Sequence, residues 1–138
     1  MFVNPDPGLI RGLLANAKTI AVVGLSPKPE RTSHRIAKRL IEWGYRVIPV
    51  RPGVAEVLGQ KAYASLAKVP DAIDLVDVFR NSADAGPVVE ECIALGLPAV
   101  WLQEGVINEA AAEKAVAAGI TMVMDRCISV EYRRLMPK

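Results

Sequence analysis

VVGLSPKPERTSHRI, residues 22–36, joins a strand-like run to a helix-like one. The run TIAVVG (19–24) has the unbroken apolar character of a strand buried on both faces. SHRIAKRLIEWG (33–44) sets Ile36, Ala37, Leu40 and Ile41 on one helical stripe, and Gly44 is placed to end it in a left-handed cap. Phosphate-binding loops occupy such strand-to-helix junctions. Here the glycines expected after Gly24 are absent. Pro27 and Pro29 with Lys28, Glu30 and Arg31 stand in their place.

The alternation continues along the chain. PDPGLIRGLLANA (5–17) reads as a short helix and YRVIPV (45–50) as a second strand. Residues 55–70 are mixed, with an extended piece near 60–63 and a helical turn. IDLVDVF (73–79) is a third strand, DAGPVVEECIALG (84–96) a helix, and PAVWLQ (98–103) a fourth strand. NEAAAEKAVAAG (108–119) is a helix capped by Asn108, TMVMD (121–125) a fifth strand, and SVEYRRLM (129–136) a last helix. Five strands alternating with helices predict right-handed crossovers and an α/β fold, a three-layer doubly wound parallel sheet in the order 3-2-1-4-5. Ligands of such sheets bind beyond the carboxyl ends of the strands, where the order reverses. For that order the point lies between the first and fourth strands. It directs attention to residues 24–33 and 102–107, then to the ends of the second and third strands.

Bulk properties narrow the partners. A chain of 138 residues fits one domain, 1–138, with a sizeable core. A net charge of +2 is too small to argue for nucleic acid or a membrane surface. No apolar run reaches the roughly 18–20 residues of a membrane span. MFVNPDPGLIRGLL (1–14) lacks the basic and long apolar regions of a signal peptide. The expectation is a cytoplasmic protein with Cys92 and Cys127 reduced. One histidine and two cysteines without short metal spacing predict no metal site.

The loop offers the amides of Leu25, Ser26, Lys28, Glu30, Arg31, Thr32 and Ser33, the hydroxyls of Ser26, Thr32 and Ser33, and the charges of Lys28 and Arg31. With the positive end of the following helix dipole they form an anion site. The two prolines make the loop stiff. That suits a pyrophosphate held from outside rather than the tight wrap of a P-loop, whose signature is absent. The alternative is an ordinary strand–helix connection with a hydroxyl cap. PVRPG (49–53) then bears on the ligand. NAD-binding folds place a carboxylate near the end of the second strand for the ribose hydroxyl. Arg51 stands there instead, and an arginine attracts a phosphorylated ribose. NADP and coenzyme A (CoA) both fit, and a solvated Arg51 is the plain alternative.

The ordered set formed by AVVGLSPKPERTSHRIAKRL, GYRVIPVRPG, VDVFR, PAVWLQEGV, MDRC and EYRRL resembles the stand-alone CoA-binding proteins, relatives of the N-terminal domain of the succinyl-CoA synthetase α-subunit. The resemblance runs from about residue 10 to 136. It implies a Rossmann-like fold holding CoA across its carboxyl edge. It places Gly24, Leu25, Ser26, Lys28, Arg31 and Ser33 around the diphosphate, and Arg51 and Pro52 by the adenosine and its 3′-phosphate. Val78, Phe79, Arg80, Leu102 and Gln103 would line the adenine and pantetheine side. The synthetase carries its phosphorylated histidine in a second domain, so the resemblance implies binding rather than catalysis.

Candidates for chemistry are few. His34, in the first helical turn, could bond a phosphate or act as a base; a solvated helix start is the alternative. Cys92 reads as packing. Cys127 follows the fifth strand, where a helix start lowers a thiol pKa. It could accept an acyl group or pair with CoA as a mixed disulfide, or be structural beside Asp125 and Arg126. Asp74 and Asp77 would face opposite sides of their strand and form no acid–base pair. Trp101 either covers the crevice or packs at an edge. The sequence is therefore read as a non-catalytic CoA or acyl-CoA binding protein, monomer or homodimer, with a partner enzyme left open. An NADP-dependent oxidoreductase or a thioester-handling enzyme using Cys127 are the alternatives.

Overall fold

The computed structural model describes residues 1–137. In chain order the elements are α1 (Pro7–Asn16), β1 (Thr19–Val23), α2 (Thr32–Glu42), β2 (Arg46–Val50), β3 (Glu56–Val57), β4 (Gln60–Lys61), β5 (Leu75–Val78), α3 (Ser82–Ala94), β6 (Ala99–Leu102), α4 (Glu109–Ala117), β7 (Thr121–Val123) and α5 (Ile128–Leu135). A 3-10 turn, Leu66–Lys68, precedes β5. Helix starts follow the side chains. Asp6 accepts from Leu9 N at 2.9 Å, Asn81 from Asp84 N at 2.8 Å and Asn108 from Ala111 N at 3.1 Å. The Asn81 cap starts α3 two residues before the expected Asp84.

Five strands form one parallel, Rossmann-like α/β sheet in the order β2-β1-β5-β6-β7. The class is as expected; the order is not. In terms of the five sheet strands it is 2-1-3-4-5 rather than 3-2-1-4-5. The reason lies in residues 51–74. They supply a two-stranded β3–β4 hairpin and the 3-10 turn in place of a crossover helix. The chain then lays Tyr63 against the outer edge of β2, where Tyr63 N donates to Pro49 O at 3.0 Å and Arg51 N to Tyr63 O at 2.8 Å. That edge being taken, β5 pairs with the free edge of β1. The order therefore reverses between β1 and β5, and the crevice opens there.

Two apolar layers sandwich the sheet. Ala21, Val23, Val76, Val78, Val100, Leu102 and Met122 face α3 and α4. Ile20, Val22, Leu75, Ala99, Trp101 and Val123 face α1, α2 and α5. Alternation along β5 puts Leu75, Asp77 and Phe79 on the second face. Asp77 is the acidic residue of that strand and is 0% exposed. Among the described residues no helix is long and apolar enough to cross a membrane.

Candidate functional site

Gly24 ends β1 with φ +84°, a conformation L side chains resist. A Cβ there would run into the carbonyl oxygen of Phe79. Glycine is thus required for both conformation and approach, and it lets β1 and β5 stay close where their carboxyl ends open. Gly24 N donates to Val50 O at 2.9 Å, so one residue ties together the ends of three strands.

The loop beyond Gly24 is braced by its own groups. Ser26 N donates to Ser33 Oγ at 3.0 Å and Lys28 N to Ser26 Oγ at 3.1 Å. Arg31 N donates to Lys28 O at 3.0 Å. His34 Nδ1 lies 2.9 Å from Ser26 O; a carbonyl only accepts, so Nδ1 carries the proton. Arg35 Nη1 donates to Glu30 O at 2.6 Å. The amides of Ser26, Lys28 and Arg31, expected to be available, are therefore occupied within the loop. The physical reason is rigidity: prolines remove two donors, and three of the remaining amides bond to Ser26, Ser33 and Lys28. What stays available is the end of α2. Its N-cap residue Arg31 makes no side-chain cap and its first turn has no acid, whereas α3 and α4 carry Asp84 and Glu109 there. The amides of Thr32, Ser33 and His34 have no intrahelical acceptor, and the dipole is unneutralised.

Two adjoining clefts flank this end of the sheet. One, of about 430 Å³, is lined by Gly24, Ser26, Pro27, Lys28, Arg31, Thr32, Ser33, Arg51 and Phe79. The other, of about 520 Å³, is lined by Val23, Gly24, Val50, Arg51, Pro52, Ala64, Ser65, Phe79, Arg80, Asn81, Val88 and Glu91. Gly24, Arg51 and Phe79 form the shared wall. Arg51 Nη1 reaches Gly24 O at 3.4 Å, a long bond that leaves most of the guanidinium's donors unused.

Of the residues singled out from sequence, the structure brings Gly24, Ser26, Lys28, Arg31, Thr32, Ser33, Arg51, Pro52, Phe79 and Arg80 to these clefts. Four do not line them. Leu25, Val78 and Leu102 are fully buried in the core. Gln103, 4% exposed, accepts from Ile128 N at 3.0 Å and so caps α5. Leu102 and Gln103 fall away because the crevice lies between β1 and β5, not beside β6. Trp101 is core: it is buried and its Nε1 donates to Arg126 O at 2.8 Å. Asp74 braces the opposite end of β1, accepting from Lys18 N and Thr19 N at 3.0 and 2.9 Å. Asn81, at the watched end of the third strand, lines the second cleft, whereas Ala64, Ser65, Val88 and Glu91 were not anticipated, since the hairpin and α3 bring them in from a distance.

Asp77 was passed over as well, although a lone acid inside LVDVF was the available signal. Both carboxyl oxygens are buried without a hydrogen-bond partner. Burial, with the Cys127 thiol nearby, pushes its pKa well above the ordinary carboxylate range, so the group is a neutral acid. Cys127 is half-buried at the N-cap of α5, with Sγ 3.2 Å from Ser129 Oγ. Burial raises its pKa, but the Ser129 hydroxyl, the Val130 and Ser129 amides and Gln103 outweigh burial and leave it lowered. Those amides act at a distance, because neither closes a cap hydrogen bond of good geometry. Cys92, in the core, is pushed up to about 12, chiefly by burial.

Known proteins match this arrangement. YneT of Bacillus subtilis, an uncharacterized protein by its name, is 43% identical over 129 residues, 94% of this chain and 96% of that one. A hypothetical protein from Pyrococcus horikoshii OT3 has a solved structure that superposes with a TM-score of 0.93 at 39% identity, over 99% of both chains. The α-subunit of an ADP-forming acetate–CoA ligase from Pyrococcus furiosus is 36% identical over 93 residues, which are 63% of this chain but 20% of that subunit. The family model of the CoA binding domain matches residues 18–133. With that match spanning most of the sheet and both clefts, the chain belongs to the CoA binding domain family.

Proposed function

We propose that this protein binds coenzyme A, free or as an acyl-CoA, as a binding protein rather than an enzyme. The observation that carries the reading is the uncapped, acid-free start of α2 in a cleft walled by Lys28, Arg31 and Arg51. The diphosphate takes the amides of Thr32, Ser33 and His34, with Lys28 and Arg31 closing from outside. Ser33 accepts from Ser26 N and keeps its own hydroxyl proton for a phosphate oxygen. Arg51, on the shared wall, takes the 3′-phosphate, and the adenosine enters the cleft lined by Pro52, Ala64 and Ser65. His34 serves as a brace, its Nδ1 proton held by Ser26. Two unpaired thiols suit a reducing, cytoplasmic setting.

The test is a thermal-shift series with CoA, 3′-dephospho-CoA, NADP, NAD and ATP. A ligand at a hundred times its Kd adds about 2.7 kcal/mol, a rise of several degrees. CoA is expected to shift most and dephospho-CoA clearly less. Arg51→Ala removes a charge-assisted bond worth about 1.5–3 kcal/mol, so CoA weakens ten- to hundredfold while dephospho-CoA stays unchanged. Ser33→Ala weakens both ligands. A larger shift with NADP transfers the site to a dinucleotide, and equal losses for both CoA forms refute the role of Arg51.

A further inference from the structure

We propose that Cys127, at the start of α5 with buried Asp77 behind it, is a thiol–disulfide exchange site whose partner is a disulfide of CoA. The inference rests on the CoA reading above and extends it to the reactive end of the ligand. Asp77 on β5, Gln103 at the end of β6 and Cys127 after β7 come from three adjacent strands at the carboxyl edge where the clefts open. β5 borders the clefts through Phe79, and β7 lies two strand spacings away, roughly 10 Å. An extended arm leaving the diphosphate along this edge crosses one intervening strand to reach Cys127.

Two observations separate this thiol from a packing cysteine. Its surroundings favour the thiolate, whereas those of Cys92 oppose it. Independently, Asp77 is 0% exposed and keeps two unpartnered carboxyl oxygens on the face that holds Cys127. A neutral carboxyl owns an O–H that lacks an acceptor until the nearby sulfur, or a ligand held on it, supplies one. Burial thus disfavours charge on the carboxyl, while the donors around Cys127 favour it on sulfur.

The same geometry selects the reaction. Acyl transfer from a thioester needs donors aimed at a tetrahedral oxyanion. The Ile128 amide is taken by Gln103, and those of Ser129 and Val130 lie towards Sγ. Disulfide exchange needs no oxyanion site. The Cys127 thiolate attacks one sulfur of CoA–S–S–CoA. A Cys127–CoA disulfide forms, the S–S bond of the reagent breaks, and one CoA leaves as a thiolate that takes a proton from water. Cys127 is oxidised and the departing CoA reduced.

Reduced protein is incubated with CoA disulfide or with pantethine, the disulfide of the same arm without the nucleotide, and followed by intact-mass spectrometry. One CoA is expected per chain, on Cys127, reversed by dithiothreitol, lost in Cys127→Ser and kept in Cys92→Ser. CoA disulfide should react at least tenfold faster than pantethine. Lys28→Ala should slow the former alone. Asp77→Val should slow exchange, and Asp77→Asn, which keeps a donor, should restore it. An unmodified Cys127 in a protein that binds CoA by calorimetry would overturn the inference and leave the binding reading standing. Equal rates with both disulfides would overturn CoA as the partner, and absence of calorimetric CoA binding would remove the underlying reading too. Acetylation of Cys127 by acetyl-CoA, removed by hydroxylamine, would replace exchange with acyl transfer.

Discussion

Replacing Asp77 by Asn should change how stability depends on pH, with a sign and slope that follow from burial. In the unfolded chain the carboxyl titrates near its ordinary value, about 4. In the folded protein it sits between Leu75 and Phe79 on the core face, fully buried and without a partner, and its pKa is raised. Between the two values the folded state holds a proton that the unfolded state has released. Stability is therefore complete below the unfolded value and falls as pH rises toward the folded one. The slope approaches about 1.4 kcal/mol per pH unit, a tenfold change in the folding equilibrium. Asn cannot titrate, and the surface carboxylates are common to both proteins. The difference in unfolding free energy, wild type minus Asp77→Asn, should thus drop from pH 5 to 6, by up to about 1.4 kcal/mol. In a chain of 138 residues the full drop is about 3–5 °C in Tm. Urea unfolding followed by circular dichroism at both pH values measures it. Parallel profiles would mean that Asp77 is ionised in the folded protein and hence paired, and the account of the Cys127 cluster would fail with it.

Two further substitutions probe the frame of the site. Gly24→Ala adds a left-handed strain of about 1–2 kcal/mol and a collision with the Phe79 carbonyl of about 1–3 kcal/mol, so the urea midpoint should fall accordingly. A loss under 1 kcal/mol would show that β1 and β5 are less tightly coupled than described. Asn108→Ala removes both the α4 cap and the 3.0 Å bond from Nδ2 to Ser82 O, a cost of about 1–2 kcal/mol readable in a thermal melt without effect on CoA affinity.

How far the sequence could be read depended on whether the contacts were local. The stretch 19–44 was legible because strand, loop and helix are contiguous, and eight of the residues lining the α2 cleft are candidates from that stretch or from the ends of β2 and β5. The strand order was not, since nothing in 51–74 forms a crossover helix that would announce where β5 goes. A signal did exist. Pro49 lacks an amide proton, and proline is tolerated in a sheet at an edge. Its carbonyl meets Tyr63 on the outer side of β2, so the strand is the sheet's edge rather than an interior member. Reading Pro49 that way would have moved the crevice from β6 to β5 and removed Leu102 and Gln103 from the site. Ala64, Ser65 and Glu91 carry no comparable signal, because chain reversals of long range decide their place.

The loop that lacks glycines is consistent with this frame. A glycine-rich turn wraps its ligand with flexible backbone, and ordering it costs conformational entropy on binding. Here that ordering is done during folding, by Ser26, Ser33, Lys28 and His34 bonding to one another. Only Gly24 must remain a glycine, at the one point where β1 meets Phe79. Three loop amides are spent on rigidity, and three others, those of Thr32, Ser33 and His34, are left by the helix start. The charge of Lys28 and Arg31 compensates for the smaller number of backbone donors. Such a site is shaped before its ligand arrives and open on its outer side, so it can hold the middle of a long molecule whose two ends extend in opposite directions along the sheet edge. In the CoA reading proposed above, the Arg51 wall meets one end and the Cys127 cluster the other.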